Sequence, residues 1–260
     1  MPRGNVELIR EAVQAWGRRD SATIRELFDE QAEFRSAIVG GVEGALYRGH
    51  DDIDRYFADL DGAFEDWHTA DERYFDVGGD RVVLLYRTVG RGRGSGVPLD
   101  YPVGILFTLR DCLVVRGEVY LEPHDALKDG LQHAFNLFGR GDVDAAVDNL
   151  DPDIEWEHYL GSGAPEEGIY RGREEVRRLF DRLRDAWEDF QVNVREVVEA
   201  GEDRFEVNAV IRARGKTRDV ELESACQYVL EFRAGKTVRA RFALTGPAPR
   251  SDALSREEAR

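Results

Sequence analysis

Tyr47-Arg48-Gly49-His50-Asp51-Asp52-Ile53-Asp54-Arg55-Tyr56-Phe57 is answered further along the chain by Tyr170-Arg171-Gly172-Arg173-Glu174-Glu175-Val176-Arg177-Arg178-Leu179-Phe180. The register between the two is 123 residues, and it holds outward in both directions. Asp80-Arg81 matches Asp203-Arg204, Arg91-Gly92-Arg93 matches Arg214-Gly215-Lys216, and Val115-Arg116 matches Val238-Arg239. Upstream the register is 122, with Gly17-Arg18-Arg19-Asp20 against Gly139-Arg140-Gly141-Asp142 and Glu33-Phe34 against Glu155-Trp156. One residue is therefore inserted between Phe34 and Tyr47. Solenoid repeats recur every few tens of residues, so a period this long marks a duplicated globular domain.

The 260 residues divide into two units of ordinary domain size. We place the first at residues 1–127 and the second at 128–260, joined by a short link over 122–128, with a tail from about residue 246 that is charged and frayed. No apolar run reaches the roughly 18 residues of a membrane span. Met1 to Val6 carry no signal-peptide core, so the expectation is a cytoplasmic protein. The net charge of -16 argues against binding nucleic acid or an anionic membrane through a basic face. Lys128, Lys216 and Lys236 are the only lysines, which we read as genome composition. Cys112 and Cys226 are not equivalent in the repeat and read as a turn residue and a core residue, not as a disulfide.

Each copy opens with two helical patterns, residues 6–16 and 21–28, then 131–138 and 143–150. A short strand (32–36, 154–158), a Gly-rich loop and a third helix (51–64, 173–187) follow. The rest is strand and turn: 71–77, 81–89, 99–109 and 114–121 in the first copy; 191–200, 204–212, 220–232 and 237–244 in the second. This order makes an α+β fold, three N-terminal helices packed on a curved antiparallel sheet, written twice.

The Gly-Arg-x-Asp break, the Tyr-Arg-Gly lead-in to the third helix, the basic Gly-rich hairpin (Gly90–Gly96, Arg212–Lys216) and the closing strand together resemble the nuclear transport factor 2-like superfamily, in its SnoaL-like branch. The resemblance covers nearly the whole chain. It implies two cone-shaped domains, each with a mostly apolar pocket at the open end. It also implies pairing through the outer sheet face, here within one chain, with further homodimerisation open. Val83 and Leu85, apolar on that face, fit such pairing.

Strand alternation nominates the pocket residues. Phe34, Tyr101 and Trp156, His158, Tyr228 face inward, with Trp16 as a further wall aromatic. Arg116, Glu118, Tyr120 and Glu122 share one face of the first closing strand. The family's cyclases place an acidic residue at the end of that strand, and Glu122 stands about there, although Glu replaces Asp and Pro123 follows. A carboxylate in an apolar cone can shuttle protons, with Tyr120 or Tyr101 donating to a developing enolate. A solvated linker glutamate is the competing reading. Thr245 replaces the acid in the second copy, whose own candidate is His158; a hydrogen-bonded core histidine is the plainer alternative. Tyr47 and Tyr170 read as aromatic lids that can also touch ligand. No metal-ligand spacing occurs, and no cofactor is expected. The expected partner is a small hydrophobic molecule. The expected function is a cofactor-free cyclase, isomerase or dehydratase working in the first domain, or else a ligand-binding scaffold without chemistry.

Overall fold

The computed structural model describes residues 4–40, 44–160, 166–216, 220–246 and 250–251. The chain forms two compact units, Met1–Gly130 and Leu131–Arg260.

The first unit starts with α1 (Asn5–Gly17) and α2 (Ser21–Leu27). Asp20 caps α2, its carboxylate accepting from the Thr23 amide at 3.1 Å, so the Gly-Arg-x-Asp break is a helix stop followed by an N-cap. β1 (Phe28–Ser36), β2 (Ala45–Arg48) and α3 (Asp51–Ala63) follow. The meander is β3 (Phe64–Asp76), β4 (Arg81–Gly92), β5 (Pro98–Arg110) and β6 (Leu113–Tyr120). The sheet order is β2-β1-β6-β5-β4-β3.

The second unit starts at Leu131, within α4 (Pro123–Arg140), and repeats this with α5 (Val143–Asp148), β7 (Leu150–Tyr159), β8 (Gly168–Arg171) and α6 (Arg173–Ala186). β9 (Trp187–Gly201), β10 (Arg204–Gly215), β11 (Val220–Arg233) and β12 (Lys236–Leu244) complete it, in the order β8-β7-β12-β11-β10-β9. Asp142 caps α5 as Asp20 caps α2.

Four expectations need correcting. Each sheet is mixed, because β1 runs parallel to β6 and β7 parallel to β12. The Gly-rich loop carries a strand, β2 or β8, that pairs with β1 or β7. Its polar composition hid it, as an edge strand of four residues buries little. The link over 122–128 is helical, since α4 begins at Pro123, a residue suited to a first helical turn. Arg250 and Ser251, inside the expected frayed tail, pair with Glu221 and Val220; residues 247–249 and 252–260 lie outside the described ones.

The first turns of α4 also account for the apolar outer face of the first sheet. A Cβ on Gly104 of β5 would stand 2.7 Å from the Pro123 carbonyl oxygen and 2.8 Å from the Ala126 Cβ. One on Gly130 would stand 3.1 Å from a Val83 methyl. Val83 is thus buried under a helix of its own unit, Leu85 is buried where it pairs with Gly104, and their apolar character carries no argument for sheet pairing. Position 227, which answers Gly104, holds a half-buried Gln whose amide reaches Asn208 at 3.3 Å across a polar outer face.

Candidate functional site in the second unit

The closing strands face the other way from the expectation. In β6 the inward residues are Gly117 and Val119, both buried. A Cβ on Gly117 would meet the Phe34 ring at 2.4 Å, so glycine is what lets that ring lie against the sheet. Arg116, Glu118 and Tyr120 lie on the outer face. Arg116 pairs with Glu118 at 2.9 Å, and the Tyr120 hydroxyl donates to Asp129 of α4 at 2.9 Å. Glu122 is exposed between β6 and α4. The proposed acid and its donor therefore share no cavity. A slip of one residue exchanges the two faces of a strand. The inward set, Gly117 and Val119 against Ala240 and Phe242, is apolar in both copies and was the available signal.

The interior of the first unit is filled. Trp16 lies edge-on to Phe34 at 4.7 Å and to Tyr56 at 5.3 Å, and Tyr47 to Tyr56 at 4.9 Å. The Tyr47 hydroxyl donates to Asp59 at 2.7 Å, and the Arg55 guanidinium covers its ring at 4.9 Å. Tyr47 is therefore a packed strut. Tyr86 is buried and Tyr101 half-buried against the same core. A crevice of about 40 Å³ beside Trp16, Phe34, Tyr47 and Tyr56 is the space these rings leave.

The second unit encloses a cavity of about 220 Å³. Four wall positions explain much of the difference. Ala146, Leu150, Phe138 and Leu230 line the cavity where the first copy has Ile24, Phe28, Trp16 and Phe107. Behind the wall, Leu179, Ala209 and Ser224 stand in place of Tyr56, Tyr86 and Tyr101. Other exchanges add bulk and polarity: His158 replaces Ser36, Tyr228 replaces Ile105, and Trp156 replaces Phe34. Natural interiors are packed to crystal density, so a hollow of this size is a departure with a cost in stability.

Of the sequence-nominated residues, Trp156, His158 and Tyr228 line this cavity together. Alternation along β7 sends Trp156 and His158 inward and Glu155 and Glu157 outward, where they face Arg239 and Arg241 at 3.7 and 3.5 Å. His158 is 6% exposed, and its ring stacks on Phe242 at 4.6 Å. Among the described residues neither of its nitrogens has a hydrogen-bond partner. Burial lowers its pKa from 6.5 to about 4, opposed by Glu167, so the ring is neutral near pH 7. The Trp156 Nε1–H is also unpartnered, but so is that of Trp16 in the first unit, and the weight rests on His158. Tyr228 packs on Phe135 at 4.7 Å and Phe242 at 4.9 Å. Burial pushes its hydroxyl well above its usual pKa.

Tyr170 stands outside the wall. Its hydroxyl donates to the Glu166 carbonyl at 2.7 Å, and Arg182 lies over its ring at 5.4 Å. Alternation did not find Leu160 and Glu166, wall residues beyond the regular part of β7. The Leu160 amide donates to the Glu167 carboxylate at 2.9 Å, and the charge of Glu167 acts on His158. Among the described residues no three His, Cys, Asp or Glu side chains converge as metal ligands.

Comparisons with known proteins agree with the duplication. The SnoaL-like domain family matches the chain twice, over residues 9–117 and 131–240. No curated protein matches. Among solved structures, a hypothetical protein of Catenulispora acidiphila with a ketosteroid isomerase-like fold, in complex with trimethylamine, is 21% identical, with 44% of this chain and 84% of that one covered and a TM-score of 0.38. An NTF2-like protein of Burkholderia thailandensis is 24% identical over 43% and 84%, with a TM-score of 0.38. TerC, co-crystallised with polyporic acid, is 20% identical over 43% and 85%, with a TM-score of 0.39. Likenesses this distant carry nothing about ligand or reaction. Matched over residues 9–117 and again over 131–240, the chain belongs to the SnoaL-like domain family and is a tandem duplication of that domain.

Proposed function

We propose that this protein binds a small, mostly apolar molecule in the second unit, and that the first unit is a filled copy that binds none. The observation that carries the reading is His158, a buried imidazole with both nitrogens unpartnered in the wall of an apolar cavity. A buried polar group left without a partner costs about 1–3 kcal/mol, and a ligand that bonds to it recovers that cost. An engineered apolar cavity of roughly 150 Å³ admits benzene, so this one has room for a one- or two-ring body.

The low basicity of His158 favours recognition over catalysis. A general base works best with a pKa near the operating pH, and burial takes this imidazole well below it. Proton-transfer chemistry in the first domain loses its support, because Glu122 is exposed and Tyr120 is bonded to Asp129 on the outer face.

The test is a fluorescence titration with indane, read through Trp156 and Trp187 in the cavity wall. Saturable binding at one site per chain is expected, unchanged by Glu122→Gln. Absence of binding, or binding abolished by Glu122→Gln, would overturn the reading.

A further inference from the structure

We infer that the ligand of the second unit's cavity is a cation, an amine protonated at neutral pH and carried on a ring-bearing body. The inference rests on the binding reading above and concerns the charge of what is bound.

The wall decides the sign. Eight aromatic rings line the cavity, Trp156, Phe180, Trp187 and Phe190 among them. Among the described residues the ionisable side chains of the wall are His158, Tyr228 and Glu166, and no Arg or Lys lines it. This is notable in a chain with 36 basic residues. The Arg182 guanidinium is engaged over the Tyr170 ring. The carboxylates flanking His158 along its own strand, Glu155 and Glu157, are turned to the outer face and matched by arginines. Glu166 lines the cavity and the charge of Glu167 acts on His158, so the acidic groups placed there among the described residues are both carboxylates.

An anion in this cavity would face the negative faces of aromatic rings and a carboxylate, with no cation to pair with. A cation meets the opposite situation. Ring faces attract it, and the carboxylate at one end matches it. The neutral imidazole adds a directional contact. One of its nitrogens bears no proton and can accept a hydrogen bond from an ammonium N–H. Burial and a neighbouring cation both keep that ring neutral, so the two requirements agree. Phe242 of β12 stacks on His158, the charge of Glu167 acts on it, and Trp156 of its own strand, Tyr228 of β11 and Glu166 share the cavity wall with it.

Calorimetric titration of the full chain at pH 7.5 with three molecules of one shape tests this: 2-aminoindane, indane and indane-2-carboxylate. The amine should bind about tenfold tighter than indane, as a desolvated cation–π contact implies, and the carboxylate most weakly. Glu166→Gln should shrink the ratio of the amine's affinity to that of indane. If indane or the carboxylate binds as tightly as the amine, the cation assignment falls while the cavity reading stands. An amine advantage undiminished by Glu166→Gln overturns the assignment as well. If none of the three binds, both readings fall.

Discussion

At the residue scale the account turns on His158 and on what Glu122 does not do. A folded-state pKa near 4 against an unfolded value of 6.5 means that, between those pH values, the unfolded chain holds a proton at residue 158 that the folded chain does not. Falling pH through this window therefore favours unfolding, by at most about 3 kcal/mol once pH is below the folded value. Chemical denaturation of the natural protein and of His158→Gln across pH 7 to 4 should show the natural protein losing stability faster as pH falls. Parallel curves would mean that the imidazole finds a partner or solvent. Glu122→Gln should change neither stability nor ligand binding by a measurable amount, since the side chain is exposed. His158 was legible from alternation on a short strand, because Trp156 beside it fixed which face was apolar. At Glu122 the family resemblance and the local pattern disagree, because the apolar set Gly117 and Val119 marks the opposite face of the closing strand as the inward one.

The elements show where local pattern gives out. Helices α1, α3 and α6 stand where the 3.6-residue spacing puts them, and β4, β5, β10 and β11 were all recognisable by alternation and turn residues. β2 and β8 were not, because four residues on a sheet edge show too short a pattern to separate from a loop. Helix α4 carried a different ambiguity. Its turns up to Gly130 pack on the outer face of the first sheet, and its turns from Leu131 on line the second unit's cavity. Gly104 is the residue that admits the first turn. Gly104→Val should push Pro123 and Ala126 off β5 and cost about 2 kcal/mol, read as a lower urea midpoint. A smaller change than about 0.5 kcal/mol would show that α4 is not held there. Gln132 of α4 bridges the backbone of the edge strand β9, donating to the Val192 carbonyl and accepting from the Val194 amide, both at 2.8 Å. Gln132→Ala should raise hydrogen exchange at Val194 above that of the central-strand amides; unchanged exchange would contradict the bridge.

Across the whole molecule, duplication is the fact the chain states most plainly, and the divergence of the copies is what it states least. Both copies keep the caps, turns and sheet order. They differ at scattered interior positions whose joint effect on volume no single residue announces. Large side chains at 16, 24, 28 and 107 close one interior, and smaller ones at 138, 146, 150 and 230 leave the other hollow. Moving first-copy residues into the second should close it. The pair Ala146→Ile and Leu150→Phe should weaken ligand binding at least about tenfold without lowering stability, because the added atoms occupy empty space. Unchanged affinity would mean that the ligand sits elsewhere.

The central claim is that one copy is open and the other closed, and methyl-labelled NMR during an indane titration addresses it position by position. The methyl resonances of Leu150, Leu183, Ile211 and Leu230 should shift together and saturate, while those of Ile24, Leu60, Leu84 and Ile105 stay in place. Shifts in the second set, or in neither, would contradict it.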